Sequence, residues 1–135
     1  MERYEVLEHA ADLLVKAHGA TLGECYGNVA YALFDQTVDL SEVKPEEKVH
    51  VSVTGDDPQD ALYSFLSELL FMEDCDGLVL CEFDVTVDGN TVTCNAKGQH
   101  VDFNTIRTYG EIKAVTYHNM IIDSDGPSVT VLYDV

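Results

Sequence analysis

The sequence predicts an α+β fold, a single-domain layered sandwich in which two amphipathic helices pack on a mixed or mostly antiparallel sheet. Apolar residues recur at helical spacing in two stretches, Leu22 to Phe34 and Ala61 to Leu70. Apolar and polar residues alternate from Cys81 to Ala96 around Asp88-Gly89-Asn90, the pattern of a hairpin. No repeat, low-complexity tract or linker interrupts the 135 residues, of which 46% are hydrophobic, so a single domain over residues 1–135 with one core is expected.

In chain order, Arg3 to Ala17 is apolar and β-favouring, interrupted by Glu8-His9-Ala10-Ala11-Asp12, which predicts two short strands flanking a kink or bulge. Thr21-Leu22-Gly23-Glu24 has the form of a capping box. Leu22, Cys25, Tyr26, Val29, Ala30, Leu33 and Phe34 then form the inward stripe of a helix running to about Val38. Acidic and proline-containing residues from Asp39 to Glu47 read as a loop, and Val49, Val51 and Val53 as a half-buried strand. Gly55-Asp56-Asp57-Pro58 supplies a turn, an acidic cap and a proline for a second helix ending near Asp74. After the hairpin and a polar stretch from Asp102 to Gly110, strands from about Glu111 to Ile122 and Ser128 to Tyr133 are joined by Asp123-Ser124-Asp125-Gly126-Pro127. Gly55 and Gly98 read as isolated turn glycines.

Acidic residues number 25 against 7 basic ones, for a net charge of −18. Direct binding to a nucleic-acid backbone is opposed by such a surface, and a basic or metal-bearing partner suits it better. Acidity of this kind also serves solubility or life at high internal salt. The first residues are charged at once with no apolar h-region, and no apolar run reaches the ~18 residues of a membrane span, so a soluble, cytoplasmic protein without membrane attachment is expected. Cys25, Cys75, Cys81 and Cys94 form no C-x-x-C and no Cys/His cluster, and read as reduced thiols filling the core.

Chemistry-bearing residues concentrate in two segments and the chain end. Glu111-Ile112-Lys113-Ala114-Val115-Thr116-Tyr117-His118, His9-Ala10-Ala11-Asp12, and Asp134 beside Val135 set one lysine and two carboxylates in strand-like, apolar surroundings. An ionised group there is costly unless paired, hydrogen-bonded or bound to a cation; the alternative is a strand-edge charge facing water. Lys113 either pairs with Glu111, two residues back on the same strand face, or offers a cation to a phosphate, a carboxylate or a partner's active site. Asp123-x-Asp125 with Asp134 loosely echoes an EF-hand loop, but Ser128 stands where that loop requires glycine, so a hairpin turn is expected. The five histidines are scattered, and no serine elbow, phosphate loop or dinucleotide glycine pattern occurs. A hydrolase built on Asp12 and His118 would need a convergence that spacing does not supply.

The E-I-K-A-V-T-Y-H segment, the H-x-A-D at residues 9–12, the two helices and the closing Tyr133-Asp134-Val135 resemble the archease family over essentially the whole chain. The octapeptide is the most specific piece. The resemblance implies an accessory protein, not an enzyme, for the RtcB-type RNA ligase, which joins ends bearing a 2′,3′-cyclic phosphate to 5′-hydroxyl ends in tRNA splicing and RNA repair. It implies promotion of ligase guanylylation and multiple turnover, and a wider nucleotide choice for the ligase. It further implies a metal site, with calcium as its ion, at Asp12, Asp134 and a backbone oxygen of Val135, and a functional lysine at Lys113. Departures from the family pattern are Ala10 where threonine is common, Gln99 where glutamate is frequent and Thr108 where histidine is often found. They bear on the surroundings of the site more than on its ligands. The alternative function is a general chaperone or modulator of proteins that process DNA or RNA, its acidic surface holding basic clients.

Overall fold

A computed structural model describes residues 2–8 and 11–135. The chain runs β1 (Tyr4–Leu7), β2 (Leu13–His18), α1 (Leu22–Asp35), a 3-10 turn at Leu40–Glu42, β3 (Glu47–Thr54), α2 (Pro58–Asp76), β4 (Leu78–Asp88), β5 (Thr91–His100), β6 (Ala114–Asp123) and β7 (Ser128–Asp134). His9 and Ala10, which carry part of the expected kink between β1 and β2, lie outside the described residues.

The α+β class and the two helices are as expected, but the strands form two sheets rather than one. One has the order β1-β2-β7-β6 and the other β3-β5-β4, and every strand pairing is antiparallel. Both helices touch both sheets, α1 through β4, β2 and β7, and α2 through β6 and all three strands of the smaller sheet. The helices are therefore the middle layer of a three-layer sandwich. The reason lies in α1, which buries Gly27 and Ala32 in addition to its stripe of Cys25, Tyr26, Val29, Ala30, Leu33 and Phe34. A helix apolar over most of its circumference needs a wall on each side.

Local signals account for the helix ends. The Thr21 hydroxyl accepts the Glu24 N–H at 3.1 Å, and the Asp57 carboxylate accepts the Asp60 N–H at 2.7 Å with Pro58 opening α2. Gly77, at φ 68°, ends α2 by donating its N–H to Glu73 O. Helix α1 stops at Asp35, before the expected Val38, because Val38 leaves to bridge Thr108. The segment expected to start a strand at Glu111 enters β6 only at Ala114.

Gly98 is not a turn residue. It sits in β5, where a Cβ would lie 2.0 Å from Val79 O and 2.7 Å from Leu80 Cα, beside an irregularity in β4 between Leu80 and Glu82. Only glycine permits that approach of the two backbones. Cys25 and Cys94 are buried as core filler, whereas Cys81 is half-buried and Cys75 exposed.

Candidate functional site

Strand β7 lies between β2 and β6, so its C-terminal end is flanked by the starts of both neighbours. Leu13 pairs with Tyr133, and Ala114 with Asp134. Asp12 lies in the bend immediately before β2, one residue outside the Leu13–Tyr133 pair, at the end of the sheet where Asp134 closes β7. On the other side the Lys113 N–H donates to Asp134 O at 2.7 Å. Residues from the beginning, the last third and the end of the chain thus converge on one corner of a sheet.

The corner is held from beneath. Tyr133 is fully buried and its hydroxyl donates to Val29 O of α1 at 2.9 Å, fixing the last turn of pleat before Asp134. Burial pushes that phenol far above its usual range. Ile112 and Val115 are buried on either side of Lys113, while Glu111 and Lys113 themselves are exposed. Ion pairs among the described residues join His18 to Glu5 and His100 to Glu47. Of the two alternatives for Lys113, the pair with Glu111 is not formed, and both residues lie ahead of β6 rather than along a regular strand.

Asp12 is half-buried, and Asp134 and Val135 are exposed. Two carboxylates and a main-chain oxygen are hard donors suited to a cation such as calcium. Among the described residues no three His, Cys, Asp or Glu side chains converge on a point, so these donors fall short of the ~6–8 oxygens calcium takes. The donor chemistry fits such an ion, whose remaining ligands would have to come from water or a partner.

The second half of the octapeptide does something its alternation conceals. Between the pairs Thr116–Leu132 and Ile121–Thr130, four residues of β6 oppose one of β7. Asn119 takes φ 59° within this bulge, which carries Tyr117 off the sheet and onto α2. Tyr117 stacks on Tyr63 with centroids 4.2 Å apart, its hydroxyl donates to Asp60 at 2.8 Å, and Gln59 donates to Met120 O at 3.1 Å. The Asp60 carboxylate raises the Tyr117 phenol to about 12. His118 rides on the bulge at the level of Val131, roughly 10 Å along the strand from Asp134. The fold does not bring His118 together with Asp12.

Glu73 was not singled out by the sequence, yet it is the carboxyl most changed by folding. It continues the α2 stripe of Leu62, Leu66 and Leu69 and is 7% exposed. Burial first, then Asp74 and Glu111, push it up to about 7 against an opposing contact from Thr37. Of the departures, Gln99 accepts the Lys44 N–H at 3.1 Å and Thr108 bridges Val38, while Ala10 lies outside the described residues. No described helix is long and apolar enough to cross a membrane.

Fold and corner together define a class of small acidic α+β proteins whose distant chain segments meet at one end of a central strand. The chain belongs to the archease family: the family model described as "Archease protein family (MTH1598/TM1083)" matches residues 4–135. It is 38% identical over 127 residues to the protein archease of Pyrococcus abyssi and 39% identical over 127 residues to that of Thermococcus gammatolerans, in each case over 91% of this chain and 89% of the relative. Among solved structures it is similar to the solution structure of Methanobacterium thermoautotrophicum protein 1598, with TM-score 0.84, 32% identity and full coverage of both chains. A crystal structure of a Thermotoga maritima archease, described as a possible chaperone, shares the fold at TM-score 0.60 and 20% identity over 96% of this chain and 94% of that one.

Proposed function

We propose that this chain is a non-catalytic activator of an RtcB-type RNA ligase, acting in tRNA splicing and RNA repair by promoting guanylylation of the ligase and its multiple turnover. The observation that supports this reading is the bond of the Lys113 N–H to Asp134 O, with Asp12 next to the Leu13–Tyr133 pair, at an open corner of the larger sheet. Asp12, Asp134 and the Val135 main chain would hold a divalent cation, calcium by the family resemblance, which when bound supplies positive charge beside a nucleotide phosphate. Asp134 ties the site together through its main chain, because its carbonyl receives the Lys113 N–H and its side chain is left exposed. Lys113, exposed and outside any ion pair among the described residues, is available to a partner's phosphate or carboxylate. The chain's −18 charge favours encounter with a basic ligase surface over direct contact with RNA, and that attraction weakens as salt is raised.

The test is Asp12→Ala, with metal binding and ligase stimulation measured side by side. Joint loss supports the reading, whereas loss of metal with full stimulation would contradict the role of the cation. The second reading, a general chaperone for proteins that process DNA or RNA, draws on the same acidic surface. It requires that Asp12→Ala and Lys113→Ala still protect unrelated basic proteins from aggregation.

A further inference from the structure

An open cavity of about 870 Å³ lies between the two sheets where both helices begin. Leu22, Tyr26, Pro58, Val85, Val87 and Ile122 give it apolar walls, drawn from both helices and from one strand of each sheet. Its size is that of a small-molecule site. It stands apart from the sheet corner, because Ile122 pairs with Val129, which precedes Asp134 by roughly 17 Å along β7.

The first N–H groups of a helix have no partner within it. Thr21 and Asp57 take those of Glu24 and Asp60, and Pro58 has none, which leaves the N–H groups of Leu22, Gly23 and Gln59 among the residues that line the cavity. A Cβ on Gly23 would meet Val85 O at 2.3 Å, so the first turn of α1 lies directly on β4 with no side chain between. Tyr26 adds an independent signal. It is 1% exposed, and no hydrogen bond among the described residues reaches its hydroxyl; burial, then Cys25, push its phenol up to about 12. Every fully enclosed side-chain N or O among the described residues has a hydrogen-bond partner, so the Tyr26 hydroxyl is not enclosed, and the sliver of Tyr26 left open is at that hydroxyl, on the cavity the residue lines. A tyrosine buried to this depth ordinarily bonds to the protein around it, as Tyr133 does to Val29 O. Tyr26 keeps its hydroxyl for what enters the cavity.

We infer that this cavity binds a small uncharged molecule that carries an amide carbonyl on an apolar ring. The carbonyl accepts from the Tyr26 hydroxyl and the free main-chain N–H groups, and the ring covers the apolar walls. Charge decides against an ion of either sign. No Lys, Arg or His lines the cavity, and Asp57 within it, with Asp56 and Asp88 next to lining residues in the chain, opposes an anion. A cation brings only donors to a place that already offers donors. The site goes beyond the ligase reading, since no residue of the sheet corner takes part in it.

The experiment is an NMR titration of the whole chain with benzamide as the probe, on the parent, Tyr26→Phe and Val87→Trp, with benzoate and benzamidine as separate arms of the same shape and opposite charge. Saturable shifts are expected at the N–H groups of Leu22, Gly23, Gln59, Val85 and Ile122, with affinity falling roughly fivefold in Tyr26→Phe and binding lost in Val87→Trp, which fills the cavity without touching the hydroxyl. Because the Tyr26 hydroxyl bonds nothing inside the fold, Tyr26→Phe should keep its Tm within roughly 2 °C of the parent. Absence of a saturable response, equal affinity in Tyr26→Phe, binding retained in Val87→Trp, or a Tm lowered by more than that in Tyr26→Phe would overturn the site. Tighter binding of benzoate or benzamidine at the same residues would overturn the uncharged ligand. The readout contains no ligase, so its outcome is separate from that of the activator reading.

Discussion

The main-chain N–H of Lys113 donates to the main-chain oxygen of Asp134 at 2.7 Å. The side chain of Lys113 plays no part in that bond, so position and chemistry can be separated by mutation. Lys113→Ala keeps the bond and should leave thermal stability within ~0.5 kcal/mol of the parent. Lys113→Pro removes the donor and should cost about 1–3 kcal/mol in urea denaturation.

Calcium should stabilise the parent and not Asp12→Asn. A site that binds only the folded chain contributes about 2.7 kcal/mol at a hundredfold excess over Kd, so the parent's Tm should climb with calcium chloride. Calorimetry should show a flat Tm for Asp12→Asn, since one of the two carboxylates proposed to hold the ion is gone.

Glu73 makes stability depend on pH. Folding raises this carboxyl from its ordinary 4.5 to about 7, so the folded state binds the proton more tightly than the unfolded chain. Stability is therefore lost as pH rises from about 4.5 through about 7, by about 3 kcal/mol in all. Asp74 is raised as well, by burial and by Glu111, and acts in the same direction. Glu73→Gln should flatten most of the decline in urea midpoints between pH 5 and pH 8.

Gly98→Ala should be severe. The added Cβ would stand 2.0 Å from Val79 O, a backbone atom of the adjacent strand that cannot yield without opening the β4–β5 ladder. A loss of about 3 kcal/mol or more is expected from denaturant titration.

Period and caps made the elements readable. Thr21 with Glu24, and Asp57 with Pro58, mark where the helices begin, and the alternation around Gly89 marks the hairpin. The second sheet was harder to see, although Ala30-Tyr31-Ala32-Leu33-Phe34 leaves α1 little polar face and already asks for two walls. The corner of Asp12, Lys113 and Asp134 depends on β7 pairing with strands from both ends of the chain. That non-local register has no signature in composition or spacing; the apolar surroundings mark each residue singly, and only motif resemblance ties the three together. Glu73 was legible in principle as a carboxyl at an apolar stripe position, but periodicity counts apolar residues and passes over the exception. The Tyr117–Asn119 bulge and the close approach at Gly98 arise between strands, so the local pattern of β6 or β5 alone does not announce them.

The most direct measurement is guanylylation of a matched RtcB-type ligase through repeated turnovers with the parent chain, with Lys113→Ala, and with neither. An accessory role centred on the sheet corner predicts sustained turnover with the parent and a return to the unassisted level with a folded Lys113→Ala. Equal stimulation by the variant would contradict the part assigned to Lys113, and no stimulation by the parent would contradict the activator reading itself.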